Sequence, residues 1–320
     1  ASVESPRAAS LLPNADALYN SSTVAHTKRW HLDLPDTDRT QRYLEQVRGK
    51  TLVLLDQADG SDEELYFFRL ALFHEDMHRE AALMMAQVLG LATPHAQPQP
   101  ACEPRHDLAI QSAVMPIGAQ GPGFSFDNEL GAHELQVDAF SIDSAPVTWG
   151  AYLPFIEAGG YEEPRFWSEA GWSWQKKNLP KGLPRYFALG EDGSLQRAAF
   201  GQWQAINPDA PAMNLSQHEA EAWCCWAGRR LPTEHEWTLA SQAPSFEWGQ
   251  VWEWTASPFA PFPGFAAHPY RDYSQPWFDG RCVLKGASWA TAPRMKHAAY
   301  RNFFTAGRND VFAGFRSSAA

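Results

Sequence analysis

The stretch LALFHEDMHREAALMM, Leu70–Met85, carries two histidines four residues apart, His74 and His78. We expect one continuous helix here, on which positions i and i+4 lie one above the other on the same face. Two neutral imidazoles in that arrangement can bind one metal ion. The apolar content of the stretch predicts a largely buried helix, in which unpaired imidazoles would be costly. The apolar positions are Leu70, Leu72, Phe73, Met77, Ala81, Leu83, Met84 and Met85.

Two metal hypotheses and one structural alternative remain open for this helix. A histidine on an apolar helix is most often a satisfied core residue, but the nearby carboxylates Glu75 and Glu80 favour a metal site. The letters HEDMH, 74–78, also fit the zinc-protease pattern H-E-x-x-H, in which the glutamate between the ligands is the general base.

The composition limits the kinds of partner that the protein can bind and the cellular compartment in which it is expected. The 320 residues include 26 basic and 37 acidic side chains, a formal charge of −11, so no basic excess favours nucleic acid. No apolar run approaches the roughly 18 residues that a membrane span needs, and no signal peptide is visible. The four cysteines form no C-x-x-C pair. We therefore expect a cytoplasmic protein without a nucleic-acid or membrane partner. A monomer is expected, but nothing in the composition determines the oligomeric state.

The first third of the sequence predicts two helices. Asp36 is a candidate N-cap for a helix over 39–56, which Gly49 is expected to strain or break. Ser61 opens a second helix that continues to about Leu89 and is ended by Gly90. Because two helices do not close a bundle, we expect a partner helix upstream of Ala1.

The pattern of the sequence changes near Ile110, where the predicted helices and strands become short and turn-forming residues become frequent. The letters HELQVDAFSID, 133–143, predict strands, and 148–157 predicts a helix. A further helix has Ser216 as N-cap and Gly228 as terminator, and Thr233 opens the next. The whole is predicted to be α+β. The predicted organisation is a helical domain over 1–92, a proline-rich linker over 93–109 and an α+β domain over 110–320.

Several motifs resemble known proteins, and together they cover nearly the entire chain. Four of them are similar to the formylglycine-generating-enzyme-type (sulfatase-modifying factor) fold: GRRLPTEHEW (228–237), VWEWTASPF (251–259), GASWA (286–290) and RNFFTAGRNDVFAGFR (301–316). Four more resemble a narrower group, the ergothioneine-type sulfoxide synthases and selenoneine synthases: HEDMHREA (74–81), FSFDNE (124–129), GGYEEPRFW (159–167) and DYSQPWF (272–278).

The resemblance implies a fold, a cofactor and a reaction. A DinB-like helical bundle, incomplete in this sequence, would precede a formylglycine-generating-enzyme-like (C-type-lectin-like) α+β domain. The group uses non-haem Fe(II) and O2 to join sulfur or selenium to the imidazole C2 of hercynine. By this resemblance His74 and His78 are iron ligands. The third histidine is expected upstream of Ala1, with His26 and His31 as weaker substitutes.

The resemblance also implies roles for two tyrosines in the loop HPYRDYS, 268–274. Tyr270 would be the proton donor and Tyr273 a substrate contact. The alternative is that both are loop aromatics that pack on Pro269 and Trp277.

The segment that begins at Asn302 resembles the group's substrate loop. Asn302 and Phe303 would line the hercynine pocket, where an aromatic face suits a trimethylammonium group. The alternative is that Phe303 and Phe304 only fill the core. Arg308 matches an arginine that binds the donor's anionic group. Ergothioneine-type members tend to have an aspartate where this chain has Phe304. An apolar ring cannot pair an ammonium, so a selenosugar donor is favoured over cysteine or γ-glutamylcysteine.

Four functions follow in order of preference. The first is an iron-dependent selenoneine synthase, and the second an ergothioneine-type sulfoxide synthase. The third is a zinc protease, for which no downstream third-ligand pattern is found. The fourth is a non-catalytic module with a lectin-like fold. Cysteine-to-formylglycine oxidation is disfavoured, because Cys224 and Cys225 lie in a tryptophan-rich packing helix and Cys282 precedes a strand.

Overall fold

The fold is described from a computed structural model that covers residues 10–20, 24–96, 101–119 and 121–320. Helices and several small sheets alternate along the chain, which confirms the predicted α+β class. The chain divides into two compact units, Ala1–Leu72 with Pro122–Phe124 and Phe73–Gly121 with Ser125–Ala320. The DinB-like bundle and the domain bounds 1–92, 93–109 and 110–320 stay predictions.

The described residues contain seven α-helices and thirteen strands. The helices are α1 Ala15–Tyr19, α2 Thr37–Asp56, α3 Asp62–Leu89, α4 Trp149–Glu157, α5 Glu169–Asn178, α6 Gln217–Ala227 and α7 Glu234–Ala240. The strands are β1 Asp107–Ile110, β2 Ala113–Ile117, β3 His133–Val137, β4 Phe140–Asp143, β5 Phe187–Leu189, β6 Leu195–Ala199, β7 Gln202–Ala205, β8 Arg229–Arg230, β9 Trp252–Pro258, β10 Cys282–Gly286, β11 Asn302–Phe304, β12 Ala313–Gly314 and β13 Ser318–Ala319. None of the helices in the described ranges combines the length and the apolar character needed to cross a bilayer.

Local capping signals placed several helix ends correctly. The Asp36 side chain accepts the N–H of Arg39 at 2.7 Å and opens α2. Ser216 forms a capping box at the start of α6, and Gly228 ends that helix in the left-handed region at φ +66°. The predicted strain at Gly49 is wrong, since α2 runs through it unbroken. A mid-helix glycine costs only about 1 kcal/mol, which a helix of this length tolerates.

The surface of α3 differs from the prediction of a largely buried helix. Only Glu80, Leu83 and Gln87 are buried in it. Because these positions follow the spacing i, i+3, i+7, they form a single stripe along one face. Large apolar side chains elsewhere on the helix are exposed, among them Phe67, Leu72, Met85, Val88 and Leu89. The number of apolar residues suggested burial, but their angular positions do not support it.

The second unit contains four small sheets. Two have four strands, in the orders β1-β4-β13-β8 and β11-β10-β9-β12. The others are the hairpin β2-β3 and the meander β5-β6-β7. Because β13 at the end of the chain pairs with both β4 and β8, the last residues close a sheet that starts at Asp107.

Two buried arginine–carboxylate pairs lie at the centre of this unit. Arg316 and Glu253 are fully buried. The guanidinium binds both carboxylate oxygens, with Nη2 donating to Oε1 at 2.8 Å, and its Nη1 donates to the carbonyl of Asp143 at 2.9 Å. Arg301 binds Glu234 in the same bidentate way, at 2.8 and 3.0 Å. Such geometry compensates each charge for its lost hydration.

We predict that Arg316→Met lowers the free energy of unfolding by about 3–5 kcal/mol, because it leaves the buried Glu253 carboxylate without a counter-charge and with one hydrogen bond, from Trp237 Nε1. The measurement is the urea unfolding midpoint and slope. A double variant with Glu253→Met should recover most of the loss. The control Arg165→Met removes an exposed pair with Glu163 and should change the free energy by less than about 1 kcal/mol. Equal losses in the single and the double variant would contradict the ion-pair explanation.

Candidate active site

The histidine pair of α3 lies beside one of the predicted tyrosines. The rings of His74 and His78 have centroids 4.5 Å apart and are nearly perpendicular, at 82°. The Tyr270 ring lies 5.9 Å from that of His74, at 87°. All three residues belong to the second unit. Residues almost 200 positions apart in the sequence are thus brought together, as the hypothesis of a shared site requires.

The protonation states of this cluster suit a metal-binding enzyme. Burial lowers the pKa of His74, and the neighbouring His78 lowers it further. The His74 imidazole is therefore neutral near pH 7 and can donate a ring nitrogen to a metal. Burial raises the pKa of the Tyr270 phenol, with a further contribution from Asp272. This phenol consequently keeps its proton at neutral pH.

Two imidazoles at this spacing fit a divalent metal of the first transition row, and both Fe(II) and Zn(II) accept nitrogen ligands. Across the residues that the structure covers, no group of three His, Cys, Asp or Glu side chains could hold an ion. The His26 side chain lies outside the described part, and His31 belongs to the first unit. The third ligand therefore stays a prediction.

Glu80 forms buried structural hydrogen bonds, although its closeness to the histidines in the sequence favoured a role at a metal site. It is 7% exposed and accepts hydrogen bonds from Trp252 Nε1 at 2.8 Å, from Ser288 Oγ at 2.5 Å and from Thr291 Oγ1 at 2.9 Å. Burial raises its pKa, and these hydrogen bonds oppose the rise. Glu80 therefore attaches α3 to β9 and to the 288–291 turn.

The second predicted tyrosine is hydrogen-bonded to a residue that the sequence reasoning missed. Tyr273 Oη lies 3.1 Å from Tyr300 Oη, and its ring stacks on Phe126 at 3.9 Å. Tyr300 is buried, and its hydroxyl also reaches Met77 Sδ on α3 at 3.7 Å. Its position directly before the RNFF motif was the available signal. Tyr300 thus connects the tyrosine loop to α3.

The residues predicted for the hercynine pocket lie on β11. Phe303 stacks on Phe259 with centroids 4.1 Å apart, and its edge approaches Tyr273 at 6.0 Å. One face of the Phe303 ring is therefore covered by protein. The Asn302 side chain accepts the N–H of Phe303 at 2.9 Å. Asn302, Phe303 and Tyr273 are half-buried.

Phe304 and Arg308 form a small cluster with Asp310. The guanidinium of Arg308 lies over the Phe304 ring, 5.0 Å from its centroid. Both arms of the guanidinium pair with the Asp310 carboxylate, Nη2 donating to Oδ2 at 2.9 Å. The positive charge of Arg308 is therefore already compensated within the chain.

The cysteines do not form a reactive pair. Cys102, Cys224, Cys225 and Cys282 are all free thiols. Cys224 is buried, and burial raises its pKa. Its neighbour Cys225 is exposed on α6, so the two side chains do not share an environment that would activate a thiolate.

Comparison with known proteins identifies the domain in the second unit. The sulfatase-modifying factor enzyme 1-like domain family matches residues 94–248 and 246–319. These ranges contain all four motifs on which the resemblance to this fold rested.

Relatives extend the match to the helical part. The hercynine oxygenase of Mycolicibacterium thermoresistibile is 32% identical over 97% of this chain and 81% of the relative. That of Mycobacterium tuberculosis is 32% identical over 96% of this chain and 83% of the relative. Ergothioneine biosynthesis protein 1 of Schizosaccharomyces pombe is 25% identical over 60% of this chain and 27% of its own length. The chain therefore belongs to the hercynine oxygenase family, with a sulfatase-modifying factor enzyme 1-like domain as its larger part.

Proposed function

We propose that this chain is an Fe(II)- and O2-dependent enzyme that joins a selenium donor, a selenosugar, to the imidazole C2 of hercynine. The observation that carries the proposal is the perpendicular His74–His78 pair with the Tyr270 ring 5.9 Å from His74. This arrangement occurs in a chain of the hercynine oxygenase family, whose name refers to oxidation of hercynine.

The overall reaction requires an oxidant, because a C2–H bond has no leaving group other than hydride. In the balanced form, the C–H of hercynine and the Se–H of the donor react with O2 to give a selenoxide and water. Fe(II) held by His74 and His78 would supply the site for O2 reduction and the one-electron chemistry. The residues of the chain have to hold the two substrates together and control the proton.

Tyr270 is the residue best suited to control that proton. A tyrosine phenol carries its proton at neutral pH, so Tyr270 can donate a proton to a reacting group and recover it from water later. Tyr273 differs, because its hydroxyl is hydrogen-bonded to Tyr300 at 3.1 Å. We assign Tyr273 to the wall that contacts the substrate, with Asn302 and Phe303 beside it.

The donor preference rests on Phe304 and Arg308. An amino-acid donor carries an ammonium and a carboxylate, which require a partner of each sign. Phe304 has no negative charge for the ammonium, and the guanidinium of Arg308 already lies over its ring and pairs with Asp310. A sugar donor carries hydroxyls and an apolar ring face, which suit an aromatic and largely neutral surface.

Two other functions are weighed against this one. An ergothioneine-type sulfoxide synthase uses the same site with cysteine or γ-glutamylcysteine, and it is supported by the name of the Schizosaccharomyces pombe relative. A zinc protease would need Glu75 as its base and a third ligand. Glu75 is exposed, and the described residues provide no set of three ligands.

We predict that His74→Ala and His78→Ala each reduce bound iron by about tenfold or more after anaerobic loading, because each removes one ligand. Iron and zinc are measured by mass spectrometry of the purified protein. Glu75→Gln is the matched control on the same helix and should retain both iron and hercynine turnover. Full iron content in either histidine variant would disprove the assignment, and zinc with peptidase activity lost in Glu75→Gln would support the protease.

A second prediction concerns the phenol. Tyr270→Phe should lower the rate of C–Se bond formation about 100-fold or more, since positioned proton donors contribute factors of this order, while iron content stays unchanged. Tyr273→Phe removes only the hydroxyl that bonds Tyr300 and should cost much less. Product is measured by mass spectrometry with hercynine and selenosugar. An unchanged rate and product in Tyr270→Phe would remove its role as proton donor.

The donor is tested by competition. We expect kcat/KM to be highest with the selenosugar and lower with cysteine and γ-glutamylcysteine. Phe304→Asp should shift the preference towards the amino-acid donors by about tenfold, because it supplies a partner for their ammonium. Phe304→Leu keeps the position apolar and serves as control. A wild-type preference for γ-glutamylcysteine would replace the selenium donor with the sulfur donor and leave the iron site intact.

A further inference from the structure

A cavity of about 400 Å³ lies in the second unit, where the end of α3 meets the β6–β7 hairpin. Gln87, Trp149, Arg197, Phe200 and Trp289 are among the residues that line it. None of the residues predicted for the iron site lines this cavity. Its volume is within the range of small-molecule sites.

Arg197 places an uncompensated positive charge at this cavity. The residue is 6% exposed, and its Nη2 donates a hydrogen bond to Asn214 Oδ1 at 2.7 Å. Its Nε has no hydrogen-bond partner, and no carboxylate in the described part of the chain pairs with the guanidinium. Burial lowers its pKa to about 10, so it remains a cation at neutral pH. By contrast, the buried Arg301 and Arg316 each have a bidentate carboxylate.

Trp289 provides a second unsatisfied donor on the same cavity. Its Nε1 is buried and has no hydrogen-bond partner in the structure as described. Buried indole N–H groups normally find an acceptor. Arg197 and Trp289 therefore both line this cavity, and each has a buried nitrogen donor without a protein acceptor among the described residues.

The walls of the cavity are aromatic and held in place. The guanidinium of Arg197 lies over the Trp149 ring, 5.7 Å from its centroid. Phe200 has a left-handed backbone at φ +48°, and its N–H donates to Gln87 Oε1 at 2.7 Å. The same Gln87 donates from Nε2 to the carbonyl of Ala198 at 3.1 Å. Gln87 therefore fixes the hairpin that carries both Arg197 and Phe200.

We propose that this cavity is a binding site for a small organic anion with a flat apolar body. The anionic oxygens, of a carboxylate or of a phosphate, pair with Arg197 and accept from Trp289, while the body lies among Trp149, Phe200 and Trp289. Such a ligand supplies the counter-charge and the acceptor that the chain lacks at this position. The site is separate from the proposed reaction and does not depend on it.

The test is titration calorimetry of the full chain with benzoate, phenyl phosphate, inorganic phosphate and the neutral analogue benzyl alcohol. We expect one site that binds benzoate or phenyl phosphate at least tenfold more tightly than benzyl alcohol or inorganic phosphate. The stronger of the two anions identifies the ligand as a carboxylate or a phosphate. No saturable binding of either anion would overturn the proposal, as would equal binding of benzyl alcohol or inorganic phosphate.

Two variants and one control locate the site. Arg197→Met should weaken anion binding at least tenfold, and Ala199→Phe should do so by filling the cavity with the arginine intact. Arg185→Met is the matched control, because Arg185 also donates to an asparagine, Asn309 at 3.2 Å, but does not line the cavity. If Arg197→Met does not fold, Ala199→Phe decides alone. Anion binding that survives the cavity-filling variant would overturn the proposal.

Discussion

The buried carboxylate of Glu80 sets the position of α3 against the sheet domain. Three donors, on Trp252, Ser288 and Thr291, satisfy it. Sliding the helix by one residue would break all three hydrogen bonds and leave the carboxylate desolvated, which is far costlier than losing apolar contacts of similar size. Because a helix is stiff over one turn, the histidine two residues before Glu80, His78, is fixed with it. The position of the proposed metal ligand His78 therefore depends on a carboxylate whose hydrogen bonds are all made to the sheet domain.

The same principle explains why the family motifs are prominent in the sequence. GRRLPTEHEW contributes Glu234, VWEWTASPF contributes Glu253, and RNFFTAGRNDVFAGFR contributes Arg301 and Arg316. In the structure these residues form two buried bidentate pairs. Much of what resembles the formylglycine-generating fold is therefore internal scaffold. Asn302 and Phe303 directly follow Arg301 in the chain, so the Arg301–Glu234 pair fixes the start of the strand that carries them.

What could be predicted from the sequence was mostly local. The caps at Asp36, Ser216 and Thr233 depend on neighbouring residues, and their helices begin where expected. Sheet order could not be predicted, because β13 pairs with strands some 90 and 180 residues earlier. The motif resemblance named the family and brought His74 and Tyr270 into one hypothesis. Side chains that come into contact only in the folded chain could not be predicted from the sequence.

The two tyrosines of the loop differ in their contacts, and this difference separates the roles proposed for them. Both phenols are protonated at neutral pH, as tyrosines ordinarily are, and burial raises both pKa values further. Tyr273 is hydrogen-bonded to Tyr300, and Tyr300 contacts Met77 on α3, so moving the Tyr273 hydroxyl would disturb the contact with α3. Tyr270 instead presents its ring perpendicular to His74. A proton donor must approach the reacting atoms and then change its hydrogen bonds during the reaction. The proposed roles follow this difference: Tyr270 is proposed to donate the proton, and Tyr273 is proposed to form part of the wall that contacts the substrate.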